Sequence, residues 1–106
     1  MYKLCFFVPE THVESVKQAL FSQGAGKIGD YDCCAWQVLG EGQFRPLQGS
    51  QPFIGYTAEL TRLPEYKVEM VCADHLLKVV IEALLLAHPY QEPAYEAYKV
   101  VSLADL

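Results

Sequence analysis

The chain has 106 residues, of which 52% are hydrophobic, and 13 acidic side chains stand against 8 basic ones. That length holds one domain with one core, and the apolar content makes neither disulfides nor a metal necessary for folding. An acidic balance with scattered lysines and arginines argues against nucleic acid, where neutralised phosphates supply much of the affinity, and against anionic membrane surfaces.

The chain runs from Met1 directly into a strand-like stretch, with no signal-type apolar region or cleavage site, so a cytoplasmic location is expected. The longest apolar run is interrupted by Lys78 and Glu82 and is too short to span a bilayer. Cys5, Cys33, Cys34 and Cys72 form no C-x-x-C pair, which points to reduced thiols and away from a zinc ribbon or redox centre.

In chain order, Tyr2–Val8 alternates as a first strand, with Pro9 closing it. Thr11-His12-Val13-Glu14 fits a capping box for a helix that carries Val13, Val16, Ala19 and Leu20 on one stripe and stops near Gly24. A second strand is expected over Tyr31–Leu39. Residues 40–55 hold four glycines and two prolines without periodicity, a connection long enough to suggest function. Tyr56–Leu63 and Tyr66–Cys72 read as one strand broken at Pro64 or as two short ones.

Asp74 is placed to cap a second helix over His75–Ala87. Its apolar residues leave only Lys78 and Glu82 as a narrow wet face, so it should be covered on several sides. A last strand follows at Ala94–Val101. The order predicts an α+β, ferredoxin-like βαββαβ sandwich: an antiparallel sheet with two helices on one face. The other sheet face then carries large apolar groups from the first two strands, which predicts self-association.

Few motifs carry chemistry. Residues 24–29 match G-x-G-x-x-G, but a helix precedes the glycines and a strand follows, the reverse of a dinucleotide site. Arg45, beside Gly40 and Gly42, has the makings of an anion nest, set against a plain hairpin loop. His12 and His75 fall in first helical turns and read as surface residues. His88 reads either as a cap on the last helical carbonyls or as a ligand for a small molecule or a divalent metal, assisted by Glu92. Tyr90 and Tyr95 gather beside it. No serine sits in a nucleophile elbow, and only a Cys–His pair assembled by folding would offer catalysis. A non-enzymatic binding module is therefore the first reading, with a metal-binding protein and a small Cys–His enzyme as alternatives.

The residues also resemble a known family. Gly24 through Ile28-Gly29, Tyr31 and Cys33, then Gly40-x-Gly42-x-Phe44-x-Pro46, Gly49, Pro52 and Ile54-Gly55, and finally His88-Pro89-Tyr90-x-Glu92-Pro93-Ala94-Tyr95 look like the YqfO-type domain of the NIF-three-like dinuclear-metal proteins. That domain is an insert in many large proteins and also occurs free-standing. The His-Pro-Tyr…Pro element is similar to that of CutA proteins. The resemblance implies a PII/CutA-like fold, favours a homo-oligomer of three copies, and by position offers residues 40–55 as a contact for a protein partner. It does not imply the hydrolase chemistry of the larger proteins, whose metal ligands lie in a flanking domain. Gln91 stands where the pattern commonly has glutamate, and Glu96 where it has aspartate.

Overall fold

Strand β1 (Tyr2–Pro9) is the spine of the structure, a computed structural model that describes residues 1–106. Helix α1 (Val13–Ser22), β2 (Trp36–Phe44), β3 (Thr61–Cys72), α2 (Leu77–Ala87) and β4 (Tyr95–Lys99) follow in the expected βαββαβ order. The sheet is antiparallel throughout, in the order β2-β3-β1-β4.

Both helices lie on one face because alternation in β1 and β3 presents Leu4, Phe6 and Val8 beside Met70, Val68 and Tyr66 there. Val13, Val16 and Leu20 of α1 and Val80 and Leu84 of α2 close over these strands, and the whole set is buried apart from the half-buried Tyr66. Each large side chain so removed from water contributes about 1.5–3 kcal/mol before entropy is charged. Helix α1 ends as expected: Gly24 takes φ +98, and the amides of Gly24 and Ala25 close back on the carbonyls of Phe21 and Leu20.

Several local expectations give way to other local pairings or to tertiary contacts. The capping box does not form. The Thr11 hydroxyl bonds His12 Nδ1 (2.8 Å), and Glu14 pairs with Lys17 (3.0 Å), so no side chain caps α1. The second strand starts at Trp36, not Tyr31, because the Cys34 amide closes on the Gly26 carbonyl (2.8 Å) and Ile28 and Tyr31 exchange hydrogen bonds. Cys33 sits there at φ +54, off any strand conformation. That strand continues to Phe44 despite Gly40 and Gly42, since β3 supplies a partner for every residue. The long connection is therefore residues 45–60.

Strand β3 passes through Pro64 without a break, and Tyr56–Leu60 belong to the loop. Register explains the tolerance. The β1 pairing stops at Pro9↔Glu65, so Pro64 has a neighbouring strand on the β2 side alone. Asp74 opens a 3-10 turn (Asp74–Leu76) and not a cap; its carboxylate instead holds the Met1 ammonium and Lys99. Helix α2 is covered along one stripe only, with Val79, Leu85 and Leu86 exposed. Strand β4 is five residues long, and Ala94, Val100 and Val101 lie outside it.

The uncovered sheet face is mixed in character. It presents Trp36, Val38, Phe7 and Cys5 among Lys3, Lys67, Glu69 and Glu96. Trp36 is 60% exposed, while Cys5, flanked by Glu69 and Glu96 across the strands, is buried.

Candidate functional site

The edge where β4 gives out creates a local problem. Its pairing with β1 stops at Phe6↔Tyr95, leaving both main-chain groups of Phe7 without a strand on that side. The segment between α2 and β4 solves it. The carbonyl of Ala94 accepts the Phe7 amide (3.3 Å), and the His88 imidazole reaches the Phe7 carbonyl (Nε2–O 2.6 Å). Pro89 and Pro93 keep this segment from continuing either helix or ladder.

The partners of His88 fix its tautomer. The Tyr90 amide donates to Nδ1 (3.1 Å), so Nδ1 carries no proton and Nε2–H donates to Phe7. Burial pushes the imidazole below the ordinary histidine range, outweighing the opposing hydrogen bond to Phe7 and the charge of Glu65; His12 nearby acts in the same downward direction. The side chain thus joins the segment to β1. It does not cap the helical carbonyls; only its main-chain amide does so, on Leu84 (2.9 Å).

Tyr90 packs at a tilt against this ring (centroids 4.8 Å) and crosses the sheet end to the uncovered face, where its hydroxyl donates to Glu65 (2.8 Å). Burial, with the carboxylate beside it, holds the phenol far above its usual range. Glu65 lies across Gly42, and a Cβ at Gly42 would overlap its carboxylate. Gly42 thus leaves room for this carboxylate, and a side chain there would displace Glu65 from the Tyr90 hydroxyl.

Loop 45–60 folds back over this end. Phe53 packs edge-on to His12 (5.5 Å) and tilted to Tyr90 (6.4 Å), and Phe44 also meets Tyr90 (6.2 Å). Gln91 accepts the Gln51 amide (2.8 Å), tying the loop to the 88–94 turn. Between them lies a cleft of about 380 Å³. Its walls include Phe44, Pro46, Phe53 and Tyr90, and its polar groups come from Gln43, Arg45, Ser50, Gln91 and Glu92.

Of the residues singled out by sequence, Arg45, Tyr90 and Glu92 line this cleft. His88 stands behind Tyr90 as its support. Tyr95 does not join them: paired with Phe6, it falls on the helix-covered side. Phe44, Phe53, Gln91 and Glu65 were not anticipated as parts of the site, though the unusual length of the loop was the available signal. A divalent cation at His88 and Glu92 does not fit these residues. The free lone pair of His88 is taken by the Tyr90 amide, and no three His, Cys, Asp or Glu side chains converge anywhere in the chain. Burial pushes the Cys5 and Cys72 thiols up, away from the thiolate a nucleophile needs.

No family model matches the chain. It is 40% identical over 102 residues to a GTP cyclohydrolase 1 type 2 homolog of Halalkalibacterium halodurans, covering 96% of this chain and 27% of that protein. The counterpart in Bacillus subtilis is 44% identical over 98 residues, 92% of this chain and 26% of that one. The chain thus spans about a quarter of the length of the curated relatives it matches. Among solved structures, a Bacillus cereus protein related to NIF3 superposes with TM-score 0.82 at 38% identity, over 95% of this chain and 26% of that one. The PII-like protein CutA from Nostoc superposes with TM-score 0.70 at 14% identity, over 100% of this chain and 86% of that one, a likeness of fold alone. The chain is thus similar to a quarter-length segment of the NIF3-related proteins, and its βαββαβ sandwich is PII/CutA-like in fold.

Proposed function

We propose that the chain is a binding module without bond-making chemistry of its own, taking a small ligand in the cleft between loop 45–60 and the 88–94 turn. The observation that carries this reading is the cleft itself: aromatic walls, a few converging polar groups, and a loop fastened by Gln51–Gln91 and by tilted ring contacts with Tyr90. A mostly apolar concavity with a small number of placed polar groups is the usual form of a small-molecule site. Titration of ¹⁵N-labelled protein with flat probes such as indole tests it. Shifts at the amides of Gln51 and Tyr90 are expected; shifts scattered over the sheet, or none, refute the reading.

The module works as a homo-oligomer, three copies being the number the fold resemblance favours. Trp36 and Val38, exposed on the uncovered sheet face, support this. The outer side of loop 45–60, where Leu47 and Tyr56 are exposed, is the surface offered to a protein partner. Light scattering on the wild type and on Trp36→Glu checks the assembly: an oligomer that falls to monomer supports it, and a monomeric wild type at micromolar concentration rejects it.

A further inference from the structure

The charged groups of the cleft are unspent. The four ion pairs of the chain are Met1–Asp74, Glu14–Lys17, Glu41–Arg62 and Asp74–Lys99, so Arg45 and Glu92 pair with nothing, including each other. They enter from different sides, Arg45 on the loop and Glu92 on the 88–94 turn, and line the same cavity. Two of the other polar groups there are already engaged: the Ser50 hydroxyl with the Leu47 carbonyl (2.7 Å), the Tyr90 hydroxyl with Glu65 (2.8 Å). The volume, about 380 Å³, lies near the lower end for small-molecule sites, which restricts the occupant to a compact molecule.

We propose that the cleft selects a small zwitterion bearing a flat apolar group, of the aromatic amino-acid class. Its carboxylate pairs with Arg45, its ammonium with Glu92, and its ring lies among Phe44, Phe53 and Tyr90. The inference rests on the cleft being a ligand site and adds the charge logic of its occupant. A simple anion would satisfy Arg45 but bring like charge toward Glu92, and a simple cation would do the reverse, so among charged occupants only a molecule of both signs pairs both groups without repulsion. The guanidinium suits a carboxylate because its paired N–H groups match two oxygens. The aromatic walls suit a ring by offset and edge-on contact.

Calorimetry and amide shifts on the full chain with four probes decide the matter: L-tryptophan, indole-3-propionate (no ammonium), tryptamine (no carboxylate) and indole. Tryptophan is expected to bind tightest, with loss of either charged group weakening binding by about tenfold or more. Arg45→Gln should weaken tryptophan and indole-3-propionate while sparing tryptamine, and Glu92→Gln should weaken tryptophan and tryptamine while sparing indole-3-propionate. Both side chains are exposed, so neither substitution threatens folding. If indole moves the Gln51 and Tyr90 amides but tryptophan binds no tighter, or the two variants do not cross over, the zwitterion assignment falls and the cleft stands. If no probe moves those amides, the cleft reading itself falls.

Discussion

The helix-covered face of the sheet and the cleft at its end are held by different kinds of interaction. On the covered face, Leu4, Phe6, Val8, Val68 and Met70 meet α1 and α2 through many small, non-directional contacts, and the pattern tolerates volume-conserving change. At the cleft end, single directional bonds decide the shape: His88 to Phe7, Tyr90 to Glu65, Gln51 to Gln91. Stability therefore concentrates in the first region, and the form of the cleft in the second. His88, buried and bonded to Phe7 of β1, links the cleft to the sheet.

Substitutions ranked by expected effect sharpen this contrast. Phe6→Ala, at the centre of the core, should cost about 3–5 kcal/mol in urea unfolding, enough to threaten the fold. His88→Ala comes next, at about 2–4 kcal/mol, because it strands the Phe7 carbonyl and the Tyr90 amide near the interior. The same variant should change the acid response. With its folded value held below the ordinary 6.5, His88 stays neutral while the unfolded chain takes up a proton. The folded state then binds fewer protons, so its contribution is complete above pH 6.5 and is lost as pH falls below it. Urea midpoints measured across pH 5–7 should slope in the wild type and lose that slope in His88→Ala.

Asp74 supplies a separate, more acidic window. Hydrogen bonds from Lys99 and then the Met1 ammonium hold it down to about 2, and as an exposed carboxylate it contributes above its ordinary 3.8 and loses that contribution as pH falls toward 2. Asp74→Asn should remove this lower-pH dependence and leave the His88 window in place.

Glu65→Gln should cost only about 1 kcal/mol yet lower the Tyr90 titration, read by ultraviolet absorbance, because burial would then be the chief cause left to raise it. An unchanged phenol titration would mean that burial alone sets it. The smallest effect belongs to Gln91→Ala, below about 1 kcal/mol, visible as faster hydrogen exchange at the Gln51 amide. If this variant instead unfolded the chain, the division between core and cleft would be wrong.

The same division decides how much could be read from sequence. Element order and the one-sided core follow from alternation in Tyr2–Val8 and the helical stripes, and those survive intact because periodic burial is encoded residue by residue. Boundaries fail where a distant partner intervenes. Gly40–Phe44 looks like loop until β3 pairs with it, and Tyr31–Ala35 looks like strand until the Gly26–Cys34 closure removes it. The capping reading of Thr11 and Glu14 yields to His12 and Lys17, each a local competitor of similar strength. In the cleft, Arg45, Tyr90 and Glu92 stood out by chemistry, whereas Phe53 and Gln91 were ordinary letters whose role depends on how the loop folds back. His88 was conspicuous by its position after α2, but its side chain does not cap that helix: its partner lies 81 residues away on β1.

One consequence concerns the overhang of β2 and β3 past the end of β1. The four-stranded sheet drops to three strands where β4 ends at Tyr95 and to two beyond Glu65, with Leu63 to Thr61 opposite Gly42 to Phe44. A two-stranded ribbon is marginal by itself and twists more readily than a wide sheet. The cleft roof is thus mounted on the most compliant part of the framework, while its floor, Tyr90 over His88, is anchored to the stiffest. The mouth of the cleft is the part of the framework with the fewest paired strands to resist bending.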